Sequence, residues 1–277
     1  MSQWIAAVTR GHNAGVCLLK DGEMVFAIEE ERLTRRKYDG GPLASIHKIL
    51  DYTDKLDYLI LAHTQEADVS VGMVDYTGED PYTSLARKLG LIADLGYEVT
   101  KHPQVIDYGN IHHKLHAACA FYRSGFDQAV SVVVDGAGTF IPFNVGSDQM
   151  TAFETETIFG CSYPANFDTL YRHLGSNGPL ATQVFTEFRN EDFHPDNTKY
   201  QKQKVYPTDG GFSSMVVDGG LGIVKAYEAV TRYLGYKTIE AGKTMGLAPY
   251  GKKNDKIPPI FRKEYDIYGY NPVDLNL

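Results

Sequence analysis

The dipeptide Asp21-Gly22 sits between two apolar runs, residues 15–20 and 23–28, and a third apolar run covers residues 5–8. Asp-Gly in that setting marks a hairpin, because glycine adopts the positive φ that a two-residue turn demands. The chain therefore opens with three strands, the second and third joined as a hairpin, and an all-helical fold is excluded. The pattern then changes: Leu43, Ile46, Ile49 and Leu50 recur at helical spacing over residues 42–52. Residues 57–62 read as a strand, 81–95 as a helix, 103–107 as a short strand, 111–124 as a helix and 129–134 as an apolar strand ending at Asp135. This order, β-β-β-α-β-α-β-α and then a fresh strand, describes one α/β lobe and the start of another. The first lobe takes residues 1–128 and the second residues 129–277. In the second lobe, residues 151–159 read as a strand, and 221–235 and 239–247 as helices, with Gly235 as a helix stop. An insertion is expected around residues 160–215; within it, residues 189–211 are polar, mixed in charge and read as a substrate-facing loop. Residues 252–277 show weak periodicity and do not read as a closing element.

Composition narrows the function. Hydrophobic residues at 43% and charged residues at 22% suit a globular protein. A net charge of −8 argues against a nucleic-acid binder, which needs clustered Lys and Arg for phosphate. The one basic cluster, Arg32, Arg35, Arg36 and Lys37, follows three glutamates at 29–31 and reads as a mixed-charge surface or a local anion site. Cys17, Cys119 and Cys161 are too few and too widely spaced for a disulfide framework or a zinc pattern. No run approaches the ~20 apolar residues that span a bilayer. The N-terminus lacks a signal peptide's charged start and long apolar stretch. A cytoplasmic protein with no membrane partner is expected.

Four segments carry possible chemistry. In His112-His113-Lys114-Leu115-His116, residues 112 and 116 project from one helix face, where two imidazoles can converge on a metal. Asp135, at the end of the next strand, can complete the set; two His and one carboxylate suit iron or zinc with positions open for substrate. The alternative is a solvated, His-rich helix turn. In Arg10-Gly11-His12-Asn13-Ala14-Gly15, small residues around Gly11 let backbone N–H groups approach a phosphate or acyl oxygen. His12 there stands at a strand end, where active-site groups of α/β folds gather, as a candidate general base. The alternative is a plain glycine-rich turn. Asp135-Gly136-Ala137-Gly138-Thr139 reads either as a hairpin turn or as a second phosphate-binding hairpin through Gly136 and Gly138. Gly242-Lys243-Thr244 is not a P-loop: Lys237 occupies the position of the first glycine, and no apolar strand leads in. Residues 240–251 read instead as a helix that stops in a tightly packed, small-residue turn, with Lys243 and Gly246 as candidate phosphate contacts.

Gly11-His12-Asn13-Ala14-Gly15, Lys20-Asp21-Gly22-Glu23 and Glu29-Glu30-Glu31-Arg32-Leu33-Thr34-Arg35 come first in the chain. His112-His113-Lys114-Leu115-His116-Ala117-Ala118 and Val134-Asp135-Gly136-Ala137-Gly138 follow. Tyr227-Glu228-Ala229-Val230-Thr231-Arg232-Tyr233-Leu234-Gly235-Tyr236 and Lys243-Thr244-Met245-Gly246-Leu247-Ala248-Pro249-Tyr250-Gly251 close the series. In this order the segments resemble the nodulation- and antibiotic-type O-carbamoyltransferases. The resemblance implies an actin-like ATPase domain (ASKHA, ribonuclease H-like) of two lobes with mixed sheets, similar to the domain that attaches threonylcarbamoyl to tRNA. It implies a second, YrdC-like domain that makes carbamoyl adenylate from carbamoyl phosphate and ATP. It further implies a divalent metal, usually iron, with zinc and manganese as alternatives, and a hydroxylated acceptor such as a sugar or antibiotic. On this resemblance His112, His116 and Asp135 are metal ligands, and His12 lies beside the acyl group.

The chain departs from the family pattern. The actin-like domain of the family continues past Met-Gly-Leu-Ala to a Gly-Gly-Val-Ala-Leu-Asn-like segment and a further ligating Asp, and neither is in this sequence. Nor is a YrdC-like domain. The second lobe is therefore expected to be incomplete and to need a second chain. Asn13 and Ala14-Gly15 replace the more usual Asp and Ser-Ala. Two other functions stay open: a threonylcarbamoyl-type tRNA transferase, and a non-catalytic ATP-binding module. The latter would bind Mg²⁺ through carboxylates and water and would not need His112 and His116.

Overall fold

A computed structural model describes residues 2–11, 13–63, 80–95, 102–145, 148–176, 183–186, 214–218 and 222–256. Its contacts divide the chain into two units, Met1–Leu115 and His116–Leu277.

The first unit is built on a mixed five-stranded sheet. Strands β1 (Trp4–Thr9), β2 (Gly15–Lys20) and β3 (Glu23–Glu29) run antiparallel. Strands β4 (Tyr58–Leu61) and β5 (Val105–Asp107) add in parallel beyond β1, in the order β3-β2-β1-β4-β5. The expected hairpin is there: Asp21 takes φ 53° and Gly22 φ 85°, the consecutive left-handed pair an Asp-Gly turn requires. Alternation decides which face is buried. Ala6, Val8, Val16, Leu18, Leu59 and Leu61 point into one core.

Helices cover that core face. Helix α1 (Glu30–Thr34) follows β3 directly. The helix expected over 42–52 is a short α2 (Leu43–His47) that tightens into a 3₁₀ turn, Lys48–Asp51, and buries Ile46 and Ile49. Glu30 is 2% exposed, and its carboxylate accepts from the N–H groups of Ala44 and Ser45, both at 2.8 Å. It thereby satisfies donors that a helix start leaves orphaned. Helix α3 (Pro81–Lys88) is shorter than the 81–95 expected. Gly90 takes φ 76°, and Leu91 N–H turns back to the carbonyl of Ala86 at 2.9 Å, so the left-handed residue ends the helix.

Helix α4 (His112–Ser124) contains the division at Leu115/His116 and runs into strand β6 (Gln128–Val134) of the second unit. Strand β7 (Phe140–Val145) leads to the 15-residue β8 (Asp148–Ser162), followed by β9 (Asn166–Ser176), β10 (Gln183–Thr186) and β11 (Ser214–Asp218). The sheet order is β10-β11-β9-β8-β6; the pairs are antiparallel except β11 with β9. Helices α5 (Gly222–Tyr233) and α6 (Ala241–Leu247) follow, the latter entered by a 3₁₀ turn, Thr238–Glu240. Gly235 follows the end of α5, as expected.

The strands β7, β9, β10 and β11 were not legible as a pattern. Register shifts at Glu154/Glu156 and Ile158/Phe159 break the two-residue alternation along β8 and β9. The apolar strand β6 is buried on one face only. Val133 packs with Ala117, Phe121, Phe159 and Cys161, whereas Val130 (65% exposed) and Val132 (63%) face outward. Residues 189–211 and 257–277 lie outside the described residues. Among the described residues no helix is long and apolar enough to cross a membrane.

Candidate metal centre

Helix α4 and strand β6 are joined by residues 125–127 and pack against each other. Thirteen helical residues rise about 20 Å, and seven strand residues extend about 23 Å. The start of the helix therefore returns to the end of the strand. His113, Ala117 and Phe121, spaced four apart, form the buried stripe of α4. The adjacent stripe carries His112 and His116 at the rim. On β6, Asp135 follows the parity of the buried Val133 and so turns to the helix side.

One ligand atom from each of His112, His116 and Asp135 lies within 4.8 Å of the others. His116 Nε2 is 4.0 Å from Asp135 Oδ2, with side-chain exposures of 54% and 35%. Asp135 is set from both sides. Its N–H donates to the carbonyl of Thr155 at 2.9 Å, and its Oδ1 accepts from Gly136 N–H at 2.7 Å. Metal–ligand bonds of about 2.0–2.2 Å put cis ligands about 3 Å apart, so a small contraction would close this group on one ion. The donor set fits: two imidazoles and a carboxylate, half open to solvent, leave coordination positions for substrate.

The segment after Asp135 is not a hairpin turn. Strands β6 and β7 both pair with β8, β6 along Glu156–Ser162 and β7 along Asp148–Phe153. They thus continue one another along a single edge, opposite β9. Residues 135–139 bulge out between them, held by Gly138 N–H on the Glu154 carbonyl at 2.8 Å and Thr139 N–H on Glu154 Oε2 at 3.1 Å. Asp135 still keeps the ladder to Thr155, so the departure from β8 begins just after the carboxylate. A Cβ at Gly136 would come within 3.1 Å of Glu228 Oε1 and 3.8 Å of Lys225 Nζ, so α5 packs closely over the bulge. Lys225 and Glu228 are themselves ion-paired at 2.9 Å.

The remaining candidates do not join the trio. His12 lies outside the described residues. Gly11, at φ 95°, gives its N–H to the Gly40 carbonyl at 3.1 Å. Lys243 ion-pairs with Glu240 at 2.6 Å and lies 5.3 Å from the Tyr236 ring centroid. Among the described residues, nothing comes within 4 Å of a Cβ built on Gly246. The tight small-residue packing expected at 240–251 is thus corrected: this stretch is open, with Met245 63% and Tyr250 83% exposed. In the basic cluster, Lys37 is bonded to Glu31 at 2.8 Å, which raises the Lys37 pKa and lowers that of Glu31, as on a mixed-charge surface. Glu30 and Glu154 were missed in the sequence, where a buried acid looks like any other. Only their position in a Glu-rich run or within an apolar strand distinguishes them.

The profile of the family described as "Carbamoyltransferase N-terminus" matches residues 55–274. The nodulation protein NolNO of Sinorhizobium fredii is 27% identical over 269 residues, covering 92% of this chain and 30% of that protein. An uncharacterized protein of Synechocystis is 30% identical over 161 residues, covering 50% of this chain and 26% of that protein. The chain thus spans under a third of the length of these relatives.

Proposed function

This chain belongs to the carbamoyltransferase N-terminal family, and we propose that it transfers a carbamoyl group from carbamoyl adenylate to a hydroxyl of a small acceptor. The observation that carries the proposal is the convergence of His112, His116 and Asp135. These residues hold a divalent metal, iron before zinc or manganese. When bound, the metal supplies Lewis acidity that polarises the carbamoyl group and offsets phosphate charge. The acceptor oxygen attacks the carbamoyl carbon, the bond from that carbon to the phosphate oxygen breaks, and AMP leaves. His12 takes the hydroxyl proton as general base.

The order β3-β2-β1-β4-β5, antiparallel and then parallel, supports an actin-like ATPase fold for the first unit. Carbamoyl adenylate comes from a YrdC-like domain. The outward valines of β6 and the exposed Met245 and Tyr250 of the second unit are the kind of apolar surface that further protein covers.

The test is metal content followed by transfer. Anaerobically purified protein is expected to hold near-stoichiometric iron or zinc, lost in the His112→Ala/His116→Ala double variant. With carbamoyl adenylate formed in situ by a separate YrdC-like enzyme, labelled carbamoyl should reach a sugar acceptor with wild type and not with the double variant. Equal transfer by both proteins would refute the proposal.

A further inference from the structure

Strand β8 breaks its register with β9 where it meets the candidate metal centre. Glu154 pairs with Leu174 and Glu156 with His173, so Thr155 is the residue that the β8–β9 register skips. On its other side β8 still pairs Glu156 with Val134, and the Thr155 carbonyl accepts the N–H of Asp135 at 2.9 Å. The peptide of Asp135 therefore hangs on a bulged residue. A bulge re-aims the chain unless something ties it, and a metal ligand has to be held within about 0.5 Å of its working place.

The Thr155 side chain is tied. Thr155 is fully buried, and its hydroxyl donates to Glu156 Oε2 at 2.6 Å. His173 Nδ1 lies 2.6 Å from that same carboxylate oxygen and 2.8 Å from the Thr155 hydroxyl. Burial pushes the Glu156 pKa up, but the hydrogen bonds from His173, Thr155 and the Ile223 N–H outweigh it and leave the pKa below its ordinary value, so Glu156 is a carboxylate. A carboxylate only accepts, so His173 Nδ1 carries a proton and donates it. The side chains of His173 and Glu156 are 13% and 19% exposed. An apolar pair fills such a place at no greater cost, so the polar set is there for what it holds.

Glu156 also holds a second element. Its Oε1 accepts from Ile223 N–H at 2.8 Å, a donor that the start of α5 leaves orphaned. Helix α5 then passes over Gly136, where an added Cβ would stand 3.1 Å from Glu228 Oε1. One carboxylate thus fixes the peptide bonded to Asp135 and the helix that flanks the next residue.

We infer that His173 and Glu156, acting through Thr155, are positioning residues for the metal centre: they fix the peptide on which Asp135 hangs and moor α5 beside it. The inference rests on the metal reading of His112, His116 and Asp135, and none of the positioning side chains touches the ion. The test is a Co²⁺ titration of the full chain, read as affinity by chelator competition and as the visible bands that report ligand geometry. Wild type is expected to bind Co²⁺ and the His112→Ala/His116→Ala variant to lose it. Glu156→Gln sets an amide N–H₂ against either the His173 and Thr155 donors or the Ile223 N–H. It should weaken Co²⁺ about tenfold, the low end for a group that supports a ligand, and shift the bands. His173→Leu should do the same, and His173→Gln, which restores an N–H donor, should recover most of the affinity. Glu30→Gln destabilises the first unit and serves as the control for general loss of stability; it should keep wild-type affinity and bands. Melting curves establish that each variant folds, and the isosteric Glu156→Gln carries the comparison if His173→Leu does not. Wild-type affinity and bands in Glu156→Gln would overturn the inference and leave the metal reading standing, as would equal weakening by Glu30→Gln. Co²⁺ that wild type does not take up, or that the double histidine variant takes up equally, overturns the metal reading and the inference with it.

Discussion

His63 makes the stability of the first unit depend on pH in a direction that can be worked out. Its folded pKa is about 4 against an ordinary value of 6.5, because burial and the Arg10 charge both oppose protonation. On acidification the unfolded chain therefore binds the proton first. The contribution is intact above about pH 6.5 and is lost as pH falls toward about 4. A gap of about 2.5 pH units, at about 1.4 kcal/mol each, makes the full loss about 3.5 kcal/mol. Burial of Asp80 raises its pKa and works the opposite way, so a variant is needed to isolate the histidine. His63→Asn cannot charge. The assay is urea unfolding at pH 7, 6, 5 and 4.5 followed by fluorescence of Trp4, the single tryptophan, which packs against the core of this unit. Wild type should lose stability faster than His63→Asn across that range, the difference reaching about 2.5 kcal/mol by pH 4.5. Parallel losses in the two proteins would show that His63 is not held neutral by the fold.

Four further substitutions have expected outcomes. Glu30→Gln replaces one of two carboxylate acceptors at the start of α2 by an N–H donor and should cost about 2 kcal/mol, read as a lower urea midpoint at Trp4. Phe159→Ala, at a fully buried site beneath α4, should cost about 3–5 kcal/mol by circular dichroism. It should also weaken metal binding although it touches no ligand; unchanged metal affinity would mean that α4 does not need this packing to present its histidines. Gly15→Ala places a Cβ 2.5 Å from the Ile28 carbonyl oxygen and should destabilise by about 1–3 kcal/mol. Gly246→Ala, inside α6 with open space around it, should instead be neutral or stabilise by up to about 1 kcal/mol, as thermal melts of the pair will show.

The elements of the first unit were legible wherever a local rule applies. The Asp21-Gly22 turn needs only two residues, and the helical spacing of Ile46 and Ile49 and the four-residue step from His112 to His116 are short-range periodicities. These by themselves determined the opening strands and the helix of the two histidines; that this helix packs against the strand after it was decided only by the tertiary structure. What sequence could not decide is anything set by a partner far along the chain. Gly90 cuts α3 short through a turn that a helical pattern does not announce. The bulge at 135–139 exists because β6 and β7 share one edge of β8, a long-range pairing that the strand pattern over 151–159 does not announce. Asp135 turns to the histidines because the β6–β8 ladder still holds its N–H on Thr155 and keeps the parity of Val133. Glu30 and His63 look like surface residues in sequence and become buried, committed groups only when α2, β1 and α3 close around them. Periodicity is a property of neighbours along the chain, so it determined the elements; desolvation and unmet hydrogen bonds are properties of neighbours in space, and only the tertiary structure decided those.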